Sequence, residues 1–155
     1  MMSHFTFKFY LYFVLLGENE YNCQRCQKKT RATRSTSLYH LPRYLIISLM
    51  RFQKNNLTKK VTTFVKFERE RLELKEYLSP EAESANEVST YRLVGAVNNI
   101  GHSVRQGHYT AFCRRPGDGH SDVWFVFNDQ NVAEMQAKDV VSSNAYILLY
   151  ERASS

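Results

Sequence analysis

The sequence predicts an α+β fold that is mostly β-sheet, with six to eight strands and little helix. Aromatic residues make up 14% of the 155 residues, including ten Tyr and ten Phe, and such side chains favour strands over helices. The apolar residues come in short runs separated by loop-forming segments, and the sequence contains no internal repeat. This length fits one ordinary domain, or a large part of a bigger one, and can bury a core without disulfide bonds.

The first sixteen residues are apolar and of uncertain role. Aromatic and apolar side chains alternate from Phe5 to Phe13, as in a strand with one buried face. The run 9–16 is too short to span a membrane, and no basic region precedes it and no small-residue cleavage site follows it. A strand, a targeting segment and an artefact of a truncated gene model are the three interpretations, and we favour the strand or the artefact.

The middle of the chain predicts a polar knuckle followed by buried strands. Residues 17–34 are polar and carry a C-x-x-C motif, Cys23 to Cys26, which predicts a short knuckle between two strands. The apolar run 44–50 predicts a strand that is buried on both faces. Residues 61–67 alternate loosely and predict another strand, whereas 79–90 has the composition of a loop.

The last third of the chain predicts a series of strands joined by turns. Residues 132–141 are expected to hold one short helix or an irregular segment, and 99–106 a loop. The predicted strands are Tyr91–Asn98, Tyr109–Arg114, Val123–Phe127 and Tyr146–Tyr150.

Charge and cysteine count restrict the partners and the compartment. The net charge is +6, but the Lys and Arg residues are scattered and no cluster forms a recognisable nucleic-acid motif. We therefore expect neither a nucleic acid nor a membrane as partner. Three cysteines, Cys23, Cys26 and Cys113, do not form a secreted disulfide framework, and we expect a cytoplasmic or nuclear protein.

One predicted hairpin brings an imidazole close to a carboxylate. The strongest turn signal between the strands 109–114 and 123–127 is Asp118-Gly119. Pairing about that centre places His108 opposite Asp129 at the open end of the hairpin. A carboxylate beside an imidazole fixes its tautomer and stabilises its protonated form, so the two residues resemble the orienting half of a catalytic triad.

None of the three thiols is a credible nucleophile for His108. Cys113 is five residues away on the same strand, so it faces the opposite side of the sheet, about 16 Å along the chain. We predict a core position for Cys113. Cys23 and Cys26 sit in the knuckle, where two thiolates can bind one edge of a tetrahedral zinc site. A structural zinc needs four ligands, so the sequence predicts a half-site only, and a redox pair lacks its βαβ context.

Several short motifs, in order, resemble the ubiquitin-specific proteases from about Gly17 to Glu151. The matching segments are YNCQRC (21–26), LPRYLIISLMRF (41–52), YRLVGAV (91–97), GHYTA (107–111), WFVFND (124–129) and SSNAYILLY (142–150). The resemblance implies a papain-like fold, with this chain supplying the palm and part of the fingers and without the N-terminal thumb. It divides the chain into the uncertain segment 1–16, the C-terminal half of a catalytic domain at 17–152, and a tail at 153–155.

The same resemblance implies roles for five residues. His108 would be the general base and Asp129 its orienting partner, with Asn128 as the less favoured alternative. Gly107 and Tyr109 would line the channel for the diglycine end of ubiquitin. The reaction would be hydrolysis of isopeptide or peptide bonds after the terminal glycine of ubiquitin, without a cofactor in catalysis. The expected partners are ubiquitin and ubiquitinated proteins.

The departures from this family predict an inactive chain. The cysteine box, the upstream oxyanion-stabilising Asn and the first C-x-x-C of the zinc ribbon have no counterpart here, and Asn99 replaces a histidine common in the family. We therefore expect a fragment or a truncated gene model that is inactive alone. A catalytically inactive ubiquitin-binding scaffold is the main alternative, and a nucleic-acid-binding β-domain, which rests only on net charge, is the weaker one.

Overall fold

The computed structural model describes residues 5–6, 12–53, 56–83, 87–101, 107–116 and 122–154. Within these ranges the chain forms fifteen strands and three short 3-10 helices, and no α-helix. The strands are β1 (Phe5–Thr6), β2 (Tyr12–Leu15), β3 (Tyr21–Cys23), β4 (Lys28–Thr30), β5 (Ala32–Ser35), β6 (Tyr44–Ser48), β7 (Phe52–Gln53), β8 (Asn56–Lys60), β9 (Val65–Lys66), β10 (Leu72–Glu73), β11 (Thr90–Gly101), β12 (Gly107–Arg115), β13 (Val123–Asn128), β14 (Asn131–Met135) and β15 (Ala145–Arg152). The 3-10 helices are Gly17–Asn19, Lys75–Tyr77 and Ala137–Val140.

A seven-stranded sheet dominates the fold and confirms that the protein is mostly β. Its strand order is β14-β13-β12-β11-β15-β6, every pair is antiparallel, and β10 pairs with β11. Strands β11 to β14 are sequential neighbours, so this part of the sheet is an antiparallel meander. The long apolar stretches of β11 and β15 lie at the centre, where both edges of each strand are paired.

One face of this sheet carries the hydrophobic core. Trp124, Leu93 and Leu148 are at most 2% exposed and pack with the rings of Tyr91 and Tyr150. Both tyrosine hydroxyls find acceptors, because Tyr91 donates to the carbonyl of Pro42 and Tyr150 to that of Glu68. Large aromatic groups of this kind supply much of the burial that stabilises a small domain.

The opposite face of the sheet is partly exposed, which corrects two predictions. The strand over 44–50 was expected to be buried on both faces, but Ile47 is buried whereas Ile46 is 68% exposed. The reason is that successive side chains point to opposite faces of the sheet, and only the face that carries Ile47 meets the core. Cys113, predicted to be a core thiol, is exposed on this outer face.

Two further segments differ from the sequence prediction. Within 61–67 the only strand is Val65–Lys66. The region 132–141 begins with a strand, because residues 129 and 130 make a two-residue turn that folds β14 back onto β13. A 3-10 helix follows at Ala137–Val140. The turn contains no glycine, so the sequence pattern did not indicate this hairpin.

The strands β2 to β5 form a separate arm, which we call the cysteine arm (residues 12–35). Strand β2 pairs with β5 and β3 with β4, in agreement with a knuckle between two strands. Gln27 takes a left-handed conformation with φ of 54° at the end of the knuckle, and its N–H donates to the carbonyl of Cys23 at 2.8 Å. None of the described helices is long and apolar enough to cross a bilayer.

Candidate active site

His108 lies near the start of β12, where the β11–β12 ladder ends. Gly107 pairs with Gly101 at the last rung, and His108 pairs with Ile100. A Cβ at Gly107 would lie 2.8 Å from Nδ2 of Asn99, so the buried Asn99 side chain fills the space that any larger residue would need. This close approach explains why a glycine stands directly before the histidine.

The His108 ring is fixed by the side chain of Asn128. Nε2 of His108 lies 2.5 Å from Oδ1 of Asn128, across the hairpin formed by β12 and β13. An amide oxygen only accepts hydrogen bonds, so Nε2 carries the proton and the neutral ring keeps its lone pair on Nδ1. Among the described residues nothing hydrogen-bonds to Nδ1, which leaves it available as a base.

The structure brings His108 together with Asn128 rather than with Asp129. The ladder pairs Ala111 with Phe127, so its continuation places His108 opposite residue 130, one residue beyond the predicted register. Asp129 is the first residue of the two-residue turn and has a φ of 51°. It forms no ion pair with His108, because the turn starts where the predicted strand would have had to continue.

Gly107 and Tyr109 lie on the face of β12 opposite to His108, since side chains alternate along a strand. Tyr109 is half exposed and its ring centroid lies 6.4 Å from that of Tyr146. Tyr146 in turn makes an edge-to-face contact with Phe52, with centroids 5.6 Å apart. The three rings form an aromatic row beside the strand that carries the histidine.

Two buried cations support this end of the sheet from the β7–β8 hairpin. Arg51 donates from Nε to the carbonyl of Ala145 at 2.5 Å and from Nη1 to two carbonyls in the segment after β8. Lys60 donates to the carbonyl of Asn99. Burial lowers the pKa of Arg51, and burial together with the charge of Arg51 lowers the pKa of Lys60. These bonds hold β11 and β15 at the positions that flank the histidine.

The three thiols lie on β12 and in the cysteine arm. Cys113 is on the same strand as His108 but faces the other side, and neighbouring atoms desolvate its sulfur enough to raise its pKa. Cys23 and Cys26 lie at the tip of the cysteine arm, where backbone and side-chain hydrogen bonds with Cys26 lower the pKa of Cys23. No described hydrogen bond links any of these thiols to the histidine.

The knuckle does not by itself make a metal site. Cys23 and Cys26 offer two sulfur ligands, whereas a closed structural zinc site needs four. Within the described ranges, no group of three or more His, Cys, Asp or Glu side chains comes together. The residues present therefore fit half of such a site.

The Asn128 contact and the aromatic row were the features that sequence reasoning underrated. Asn128 follows an apolar strand and precedes two polar residues and another asparagine, which is the composition of a short hairpin turn. Recognising that turn would have placed Asn128 at the strand end and Asp129 in the loop. The contact between Tyr109 and Tyr146 joins distant segments and had no local signal.

Comparison with known proteins shows similarity to one family. The family model described as ubiquitin carboxyl-terminal hydrolase matches residues 9–150. Human Ubiquitin carboxyl-terminal hydrolase 2 is 39% identical over 142 residues, which cover 91% of this chain and 22% of that protein. The yeast SAGA DUBm with an Sgf73 mutant matches with a TM-score of 0.71 and 30% identity, over 90% of this chain and 30% of the solved one. A SAGA DUB module bound to monoubiquitin matches with a TM-score of 0.69, 30% identity and the same coverage of both chains.

The chain thus spans about a fifth of the human relative and 30% of the solved chains that it matches. The match begins at residue 9, inside the segment whose role the sequence left open. Two strands, Phe5–Thr6 and Tyr12–Leu15, lie in that segment, and residues 7–11 of the predicted strand lie outside the described residues. The family model covers nearly the whole chain, and the chain therefore belongs to the ubiquitin carboxyl-terminal hydrolase family.

Proposed function

We propose that this chain supplies the histidine half of the active site of a thiol-dependent deubiquitinase. The reaction is hydrolysis of the isopeptide or peptide bond that follows the C-terminal glycine of ubiquitin. The observation that carries the proposal is the 2.5 Å contact of His108 Nε2 with Asn128 Oδ1, which assigns the basic lone pair to Nδ1. The nucleophilic cysteine comes from polypeptide outside this chain, and the chain alone is inactive.

In this mechanism His108 first accepts a proton and then donates it. Nδ1 takes the proton of the attacking thiol, and the imidazolium later gives it to the leaving amine. Asn128 keeps Nε2–H in place throughout, so the lone pair of Nδ1 always faces the reacting atoms. Water then attacks the acyl-enzyme with His108 again as the base. Asp129, the next residue, is the alternative orienting group.

The substrate side of the proposal concerns Gly107 and Tyr109. We assign them to the channel that receives the diglycine end of ubiquitin, because the first lacks a side chain and the second presents an exposed ring beside it. A related SAGA DUB module binds monoubiquitin, which supports ubiquitin and ubiquitinated proteins as partners. The seven-stranded sheet would be the palm, the cysteine arm a part of the fingers, and the thumb would lie outside this chain.

Two further assignments follow from the cysteines. Cys23 and Cys26 would provide half of a structural zinc site whose other two ligands lie outside this chain, whereas catalysis needs no cofactor. Free thiols suit a reducing compartment, so we infer a cytoplasmic or nuclear location.

A chimera tests the proposed roles. Residues 9–150 of this chain would replace the matching segment of human Ubiquitin carboxyl-terminal hydrolase 2, and kcat/KM would be measured with a fluorogenic ubiquitin substrate. We expect activity, and a loss of about 100-fold or more in His108→Gln, because general-base catalysis contributes factors of this size. A larger loss in Asn128→Ala than in Asp129→Ala assigns the orienting role to Asn128, and the reverse order assigns it to Asp129. A folded chimera with unchanged activity in His108→Gln would contradict the base assignment.

A catalytically inactive ubiquitin-binding scaffold is the second candidate, because the chain carries ubiquitin-hydrolase family sequence and no described hydrogen bond joins a thiol to His108. The unmodified chain would be mixed with a ubiquitin vinyl-sulfone probe and, separately, with free ubiquitin. Binding without covalent labelling, combined with an inactive chimera, favours the scaffold. Covalent labelling of the chain alone would mean that one of its own cysteines is the nucleophile.

A further inference from the structure

Among the described residues, the buried cations Arg51 and Lys60 have no acidic partner. Arg51 is 2% and Lys60 5% exposed, yet neither forms an ion pair with any described carboxylate. The sequence offers none nearby, since 51–67 contains no Asp or Glu and neither does 88–117. A buried charge without a counter-charge is costly, and two like charges in one place cost more.

Several hydrogen-bond donors around Arg51 and Lys60 have no acceptor among the described residues. Nη2 of Arg51 has no partner among the described residues, although Nε and Nη1 donate to three carbonyls. The ammonium of Lys60 has three N–H groups, and the structure gives it the Asn99 carbonyl as acceptor. The side chain of Asn99 is completely buried, and neither its Nδ2 nor its Oδ1 has a partner in the part of the chain that the structure describes. Spare donors therefore outnumber the single spare acceptor.

The three residues belong to one cluster. Lys60 contacts the carbonyl of the residue whose carboxamide is unpartnered, and the charges of Lys60 and Arg51 act on each other. Arg51 contacts the carbonyl of Ala145, which pairs with Asn98 beside Asn99. Asn99 also packs against Gly107, one residue from His108. Through Asn99 on β11, the cluster thus reaches the strand that carries the histidine.

We propose that Arg51, Lys60 and Asn99 form a buried anion site that takes one carboxylate group. A carboxylate offers acceptor lone pairs to the unused donors and one negative charge to a pair of positive charges. Water would satisfy donors as well, but it would leave both charges unpaired. The group comes either from a small free acid or from an acidic side chain of polypeptide outside this chain.

Formate is the probe for this site, because it is the smallest carboxylate. The purified full chain would be titrated with formate in exchange for a bulky sulfonate anion at constant sodium. We expect a saturable shift of the Asn99 side-chain amide signals and a higher melting temperature. Lys60→Met should raise the half-saturating formate concentration by roughly tenfold or more, whereas the exposed control Lys66→Met should not. A wild-type chain without a saturable response overturns the proposal.

An isosteric pair of variants gives a second measurement. Asn99→Asp places a carboxylate inside the cluster, so it should melt at a higher temperature than the parent and lose its response to formate. Asn98→Asp is the matched control, because Asn98 is equally buried but its Oδ1 already accepts from Ser142 at 3.0 Å on the other face. It should melt at a lower temperature. Asn99→Asp that is destabilised as much as Asn98→Asp, or that fails to fold, contradicts an anion site.

The chimera distinguishes the two sources of the carboxylate. If an acidic side chain from the added polypeptide fills the site, the chimera loses the formate response that the isolated chain has. If the response persists in the chimera, the ligand is a free anion. A response that is the same in Asn99→Asp and in the parent overturns the proposal in either form.

Discussion

The central sheet and the cysteine arm are built from the same kind of short strand, but they are held together differently. The sheet buries a continuous cluster that includes Trp124, Leu148 and Tyr91. In the arm, no described side chain from 13 to 35 is buried. The sheet is therefore stabilised by packing, whereas the arm depends on backbone hydrogen bonds within two hairpins. Substitutions should have large effects in the first region and small ones in the second.

The largest effect is expected from Trp124→Ala. Trp124 is 2% exposed, and truncating a buried aromatic side chain leaves a cavity and costs about 3–5 kcal/mol of unfolding free energy. The matched change in the arm is Tyr21→Ala, where the ring is half exposed and the cost should stay within about 0.5 kcal/mol. Urea denaturation of both variants provides the measurement. Equal costs would show that the arm is also held by packing.

Gly107→Ala should have the next largest effect. The added methyl group would lie 2.8 Å from the buried Asn99 side chain, and overpacking of this kind costs about 1–3 kcal/mol. It should also displace His108 from Asn128, which ¹⁵N signals of the imidazole can detect. Gly95→Ala is the control, because its methyl group would meet its nearest atom at 3.4 Å. An unchanged imidazole signal in Gly107→Ala would show that the position of His108 does not depend on Gly107.

A smaller, pH-dependent effect is expected at Tyr150. Its hydroxyl donates to the carbonyl of Glu68 at 2.7 Å, so Tyr150→Phe should lose about 1 kcal/mol near neutral pH. Burial raises the pKa of Tyr150 above its ordinary value of 10.0. Since the folded pKa is the higher one, this stabilisation is complete below pH 10.0 and is lost as the pH rises further. The melting temperatures of Tyr150→Phe and of the parent should therefore converge at alkaline pH. Tyr21 is exposed, so Tyr21→Phe should have the melting temperature of the parent at every pH.

The smallest effect is expected in the knuckle. Cys23→Ser and Cys26→Ser, alone or together, should change the unfolding free energy of this chain by no more than about 0.5 kcal/mol, because neither side chain is buried. A zinc chelator should leave the melting temperature of the parent unchanged. A strong destabilisation by either treatment would mean that the chain completes the metal site with ligands of its own.

The sequence predicted the sheet better than it predicted the site. Apolar runs and their alternation placed the strands at 109–114 and 123–127, which lie within the observed Gly107–Arg115 and Val123–Asn128. The pattern could not say which face of the sheet is covered, so Ile46 and Cys113 were expected to be buried. Which face is covered depends on how distant segments pack against the sheet, which is a property of the whole chain.

The orienting residue shows a second limit of sequence reasoning. A turn centre taken from Asp118-Gly119 gave a register that was wrong by one residue, and one residue decides whether Asn128 or Asp129 lies beside His108. Side chains alternate along a strand, so an error of one position moves a group to the other face. The buried cations were missed because Arg51 and Lys60 occur in a polar segment that has the composition of a surface loop.

The bond between His108 and Asn128 has a consequence for how this half of the site forms. The two residues are only 20 positions apart and belong to one hairpin, whereas the bond from Arg51 to Ala145 joins residues 94 positions apart. Closing a short loop costs less chain entropy than closing a long one. The His108 imidazole and the Asn128 side-chain amide can therefore come into contact once β12 and β13 pair, before the remaining strands pair. A catalytic base whose two residues belong to one hairpin can keep its geometry when the sequence of other segments changes.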